Sequence, residues 1–180
     1  MPETTIATDL DSIRAGRLSE AGEFWTGRIA KDAGNAKLTY KAAGVAVGSV
    51  ATRISAGNHQ FTVDEPAGLA GDDAAASPVE YALGALISCQ VVVYRLYAHQ
   101  LGLAIDELTI DAEGDLDVRG LFGIDESVRP GFTAIRLKVN ISGPETQERY
   151  EELARVVADR CPVLDLFANQ TPVSAVVAKV

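Results

Sequence analysis

Two cysteines and two histidines are all the sulfur and imidazole ligands that 180 residues supply, apart from a single methionine. No Cys-x-x-Cys or His-x-x-x-His spacing occurs, and His59 and His99 are far apart, so no zinc site is expected. Clusters of lysine and arginine are also missing, and the net charge is −9. That argues against nucleic acid and anionic membrane as partners. No apolar run reaches the roughly 18 residues of a membrane span without a polar break. The longest candidate, residues 81–97, is cut by Ser88, Gln90 and Arg95. The start, MPETTIATDLDSIRAG, has neither the basic beginning nor the apolar block of a signal peptide. A cytoplasmic protein is expected, and there its cysteines should be thiols rather than a structural bridge. A glycine-rich phosphate loop is absent too, since Gly44 and Gly48 are too sparse to form one. The acidic run DAEGDLD (residues 111–117) fails the EF-hand pattern and reads as a solvated strand and turn.

What remains is an ordinary globular composition, 47% hydrophobic and 23% charged. Residues 1–36 are polar and mixed, and read as an N-terminal extension with a short helix and Trp25 docking on the core. From Lys37 the texture alternates, and residues 37–180 read as one domain. LTYKAAGVAVGSVATRIS and HQFTVDEP are expected as the two strands of a hairpin, turning at Ala56–Asn58. AGLAGDDAAA reads as a flexible loop. Ser77-x-x-Glu80 with Pro78 between is a capping box opening a long helix that ends at Gly102. Its middle is apolar nearly all round, which predicts burial on most sides. Two strand-like segments follow, then a helix from Pro144 with Tyr150, Leu153, Val156 and Val157 on one stripe. TPVSAVVAKV reads as a last strand. The order predicts an α+β fold with a core helix packed on antiparallel sheet.

Cys89 falls mid-helix, with Ala82, Ala85, Val93 and Leu96 on its face. Such a setting suits a buried core thiol and raises its pKa, so reactivity needs a cation from elsewhere. Cys161 precedes Pro162 at a helix end. If Pro162 opens a new turn, the dipole there favours thiolate; packing or capping is the plainer role.

Together, SPVEYALGALISC and the distant CPV resemble the OsmC/Ohr family of osmotically inducible and organic-hydroperoxide-resistance thiol peroxidases. The matching residues are Pro78, Glu80, Cys89 and the pair Cys161-Pro162, and the likeness runs from about Leu38 to the end. The resemblance implies antiparallel sheet wrapped around a long central cysteine-bearing helix, in an intertwined homodimer with sites at the interface. It implies that Cys89 attacks a hydroperoxide and becomes a sulfenic acid, that Cys161 condenses with it to a disulfide, and that an external dithiol resets the pair. Neither metal nor nucleotide cofactor is needed for that chemistry. Three positions depart from the pattern. Val79 follows Pro78 where the hydroperoxide-resistance branch has its glutamate, which favours the broader OsmC-like branch. Gln90 follows the cysteine where phenylalanine is frequent. The loop before the helix holds no arginine to steady the thiolate, which leaves Arg53 as first choice and Arg28 as second. Glu80 lies about 13 Å along the axis from Cys89 and on the opposite side of a straight helix. It is a helix cap, or it orients an arginine, across the dimer if at all. The rival expectation is a non-catalytic OsmC-like dimer holding a small apolar ligand in the interfacial cleft, with both cysteines inert.

Overall fold

A computed structural model describes residues 3–179 of the chain, which forms two compact units, Met1–Pro78 and Val79–Val180. The architecture is mixed α and β with antiparallel sheets.

The first unit opens with a 29-residue helix, α1 (Glu3–Lys31). This is far longer than the short helix expected in the N-terminal extension. Trp25 is engaged by its own helix neighbours, edge to face with Phe24 at 5.5 Å and under the Arg28 guanidinium at 5.9 Å. A three-stranded antiparallel sheet follows, in the order β1 (Ala42–Ala46), β2 (Thr52–Ala56), β3 (His59–Val63). The single strand expected over residues 38–55 is therefore two. Gly48 takes φ +60°, which costs glycine nothing, and Val47 N–H donates to the Ala51 carbonyl at 2.7 Å to close the turn.

The small-residue loop after β3 is tethered rather than flexible. Buried Asp64 accepts the Asp72 and Ala74 amides on one carboxylate oxygen, both at 3.1 Å. Those amide bonds, that of Ala74 foremost, hold its carboxyl below the usual range. Asp73 N–H donates to the Glu65 carbonyl at 3.0 Å. Gly71 lets the two backbones approach, since a Cβ there would lie 1.8 Å from the Glu65 oxygen.

The second unit is built on α2 (Pro78–Leu101). It stops where anticipated, in a Schellman turn: Gly102 has φ +66° and Leu103 N–H reaches the Ala98 carbonyl at 2.8 Å. Strands β4 (Glu107–Asp115) and β5 (Ala134–Ser142) pair antiparallel, Glu107 opposite Ser142 and Asp115 opposite Ala134. Between them lies the short α3 (Val118–Leu121). The acidic run is the end of β4 and its exit. Arg136 on β5 pairs with Asp115 at 2.5 Å and Glu113 at 3.3 Å, and Asp117 caps α3. Helix α4 (Gln147–Arg160) begins later than Pro144, because Thr146 takes the cap and accepts Arg149 N–H at 3.4 Å.

Leu86, Val93, Tyr94 and Ala98 of α2 share one core with Ile110 of β4 and with Tyr150, Leu153 and Val157 of α4. Leu86, Leu153 and Val157 are wholly buried, each worth roughly 1.5–3 kcal/mol. The expected burial of α2 on most sides is not met within one chain. Its buried residues form a single stripe, while Gly84, Ala85, Ser88 and Val92 are exposed. By length and composition α2 could cross a membrane, but it seats its stripe in this core. The expected last strand is also corrected. Residues 170–179 make no ladder, and Val173, Val176 and Val177 are at least 90% exposed; Val180 is outside the described residues.

A candidate dithiol site

Cys89 lies near the middle of α2, one position ahead of the buried stripe residue Gln90, and is partly buried. Cys161 sits where α4 ends and α5 (Pro162–Ala168) begins. Pro162 cannot donate an amide proton and pre-sets the first helical turn, so the chain turns at the cysteine. Cys161 then caps both helices. Its N–H closes α4 on the Val157 carbonyl at 3.0 Å, and its sulfur accepts Leu164 N–H at 3.5 Å as the first cap of α5. It is 2% exposed.

This turn carries Cys161 onto α2. The two thiols are 72 positions apart in sequence, yet Cys89 packs against the buried cluster that holds Cys161, and Cys161 and the Val163 amide are both near enough to shift its thiol. No disulfide joins them in this structure. Burial pushes the Cys89 thiol above its ordinary value of 9.0; the Val163 amide opposes that rise and Cys161 adds to it. An amide bond to sulfur favours thiolate, a neighbouring thiol accepting a proton favours the thiol, and desolvation wins.

The other expected site residues belong to other elements or turns of the chain. Arg53 is on β2 of the first unit, exposed, opposite Val45 and Thr62. Arg28 belongs to α1, stacked on Trp25 with its Nε donating to the Asn35 carbonyl at 3.4 Å. Glu80 is exposed in the first turn of α2, where a carboxylate complements the helix dipole. The guanidinium nearest in sequence on α2, Arg95, donates to the Ile105 carbonyl at 2.9 Å. No guanidinium is among the groups that shift Cys89.

Two participants were not anticipated. The Val163 amide belongs to the first turn of α5, and only the Cys-Pro pair hinted at that turn. Gln90 is 3% exposed, and its Nε2 finds no partner among the described residues. No cluster of three or more His, Cys, Asp or Glu able to hold a metal occurs among the described residues.

A family model described as OsmC-like protein matches residues 71–176. That span holds the whole dithiol site and the core around it. No curated protein matches the sequence. Several solved structures share the fold. An OsmC-like protein from Mycoplasma pneumoniae is 20% identical, over 73% of this chain and 88% of that one, with a TM-score of 0.63. An organic hydroperoxide resistance protein from Legionella pneumophila is 18% identical, over 74% and 91%, with a TM-score of 0.59. The organic hydroperoxide resistance protein OhrB of Bacillus subtilis is 20% identical, over 73% and 91%, at 0.51. At such identities the likeness is one of fold.

Proposed function

From the premise that the chain belongs to the OsmC-like family, we propose that it is a cysteine-based peroxidase acting on organic hydroperoxides, and on hydrogen peroxide. The observation that carries this reading is the approach of Cys161 to Cys89, which packs against the cluster holding Cys161 and has its thiol shifted by it. The Cys89 thiolate attacks the distal oxygen of the hydroperoxide. The O–O bond breaks, the alkoxide leaves and takes a proton as the alcohol, and Cys89 holds a sulfenic acid. Cys161 then attacks the Cys89 sulfur, a disulfide forms, and water leaves with the Cys161 proton. An external dithiol returns two electrons and two protons by exchange. No metal or organic cofactor takes part, and the setting is the reducing cytoplasm. The working unit is a homodimer. The open face of α2 (Gly84, Ala85, Ser88 and Val92) supports this, because an apolar helix this exposed needs a cover. Arg53 or Arg28, reaching the site in the assembly, would supply the cation that keeps Cys89 ionised, and Glu80 would orient it. Nucleic acid and membrane are not partners in this reading.

The raised Cys89 thiol favours a second reading, a non-catalytic dimer holding a small apolar ligand. The two separate cleanly. The peroxidase consumes two thiols per chain on adding a small excess of cumene hydroperoxide. Its Cys89→Ser variant loses turnover by at least a thousandfold, and Cys161→Ser completes one turnover and overoxidises. Thiolate absorbance of the assembled protein titrates well below 9.0, the ordinary thiol value, because the cation outweighs burial. Retention of both thiols and a midpoint above that value would establish the binder instead.

A further inference from the structure

Helix α1 lies outside the residues matched by the family model, and its exposed face is patterned. Leu10, Ile13, Arg17, Glu20, Phe24 and Gly27 follow each other at alternating spacings of three and four, the a and d positions of a heptad. All six are exposed, Leu10, Ile13 and Phe24 by 56%, 43% and 59%. The partly covered residues Arg14, Leu18, Gly22 and Trp25 lie on a different face. Neither Arg17 nor Glu20 makes an ion pair among the described residues.

The seam is a palindrome of chemistry about a point midway between residues 18 and 19. Turned antiparallel on itself, it sets Leu10 against Gly27, Ile13 against Phe24 and Arg17 against Glu20, and then the same three pairs in reverse. Each layer from Leu10 to Gly27 is complementary: large on small, apolar on apolar, cation on anion. The Leu10 side chain would meet a recess lined by Phe24, Gly27, Arg28 and Lys31, and a Cβ on Gly27 would find open space, with no other side chain of the described residues within 4 Å. A parallel pairing would stack Arg17 on Arg17, Glu20 on Glu20 and Gly27 on Gly27, which repels twice and leaves a hole. An unrelated partner gives no reason for the palindrome, whereas in an antiparallel two-fold contact between identical helices each residue meets its mirror position twice.

We propose that α1 is a two-fold, antiparallel coiled-coil contact with α1 of a second copy of this chain, its register set by reciprocal Arg17–Glu20 pairs. A polar layer inside an apolar seam costs stability and fixes register. This contact is separate from the dithiol site and stands whether or not that site is catalytic.

Cysteine cross-linking of the full chain tests it, in a Cys89→Ser/Cys161→Ser background. The Leu10→Cys/Gly27→Cys variant should oxidise to a covalent dimer. Within one helix those positions are about 26 Å apart along the axis, too far for a bridge. In the antiparallel pair Leu10 is equally far from its own copy, so Leu10→Cys alone should stay monomeric on a non-reducing gel. Adding Arg17→Glu should cut the cross-link at least tenfold, and Arg17→Glu/Glu20→Arg should restore it. A dimer from Leu10→Cys alone would overturn the antiparallel register. No dimer from the double variant, with its helicity intact by circular dichroism, would overturn the contact itself, as would failure of the charge swap to rescue.

Discussion

Gln90, next to Cys89 in sequence, is buried with an amide nitrogen that donates to nothing among the described residues. A buried donor without an acceptor costs about 1–3 kcal/mol, and a leucine there would extend the apolar stripe of Leu86, Val93 and Tyr94. Gln90→Leu is therefore expected to stabilise the single chain by about 1 kcal/mol, measured by urea unfolding under conditions that keep it monomeric. A loss of similar size would mean the amide has found a partner. The cysteines were legible because each sits in a short pattern with a local cause: a mid-helix thiol, and a thiol before a helix-starting proline. Gln90 was noticed only as a departure from a family pattern, and its burial depends on packing that the pattern does not encode. The proposed cation was the least legible part. Spacing within a chain says little about an arginine that must arrive from another element.

At the scale of elements, the loop from Asp64 into α2 shows what periodicity misses. Its run of alanine, glycine and aspartate carries no alternation, so it reads as flexible. Its order comes from one buried carboxylate collecting two amides eight and ten positions on, a bond pattern set by tertiary placement. Gly71→Ala should break it, since the new Cβ would sit 1.8 Å from a backbone oxygen with no flexible end to yield. A cost of about 1–3 kcal/mol is expected, in the range for overpacking, with faster proteolysis between residues 65 and 76. Gly68→Ala is the control, because a Cβ there meets nothing. Equal melting temperatures for the two variants would sink the account. The long helix α2, its glycine stop, the strands β4 and β5 and the stripe of α4 were legible, because each repeats its own period over many residues. Helix α1 was underestimated because its seam is heptadic with a charged centre, which lowers the apolar signal that marks a helix. The break between β1 and β2 was hidden because alanine, valine and glycine alternate straight through it.

At the scale of the whole molecule, a single chain leaves too much apolar surface open on α2 and in the tail. Val92 is 63% exposed and Val173, Val176 and Val177 almost wholly so. Single exposed apolar residues are ordinary, but a helix face and a ten-residue tail together are what a second copy would cover. Val92→Asp discriminates. In an isolated chain a mostly exposed valine costs little to replace. In the proposed dimer the new carboxylate would be buried without a partner, at several kcal/mol. Folding coupled to dimerisation also gains ~2.7 kcal/mol over a hundredfold rise in concentration, so the melting temperature of the parent chain should climb with concentration. The Val92→Asp protein should be monomeric by light scattering and melt at one temperature throughout. An Arg17→Glu background keeps the α1 contact from holding two copies together in either protein. If both proteins have the same mass and the same concentration-independent melting temperature, the α2 face is not an interface.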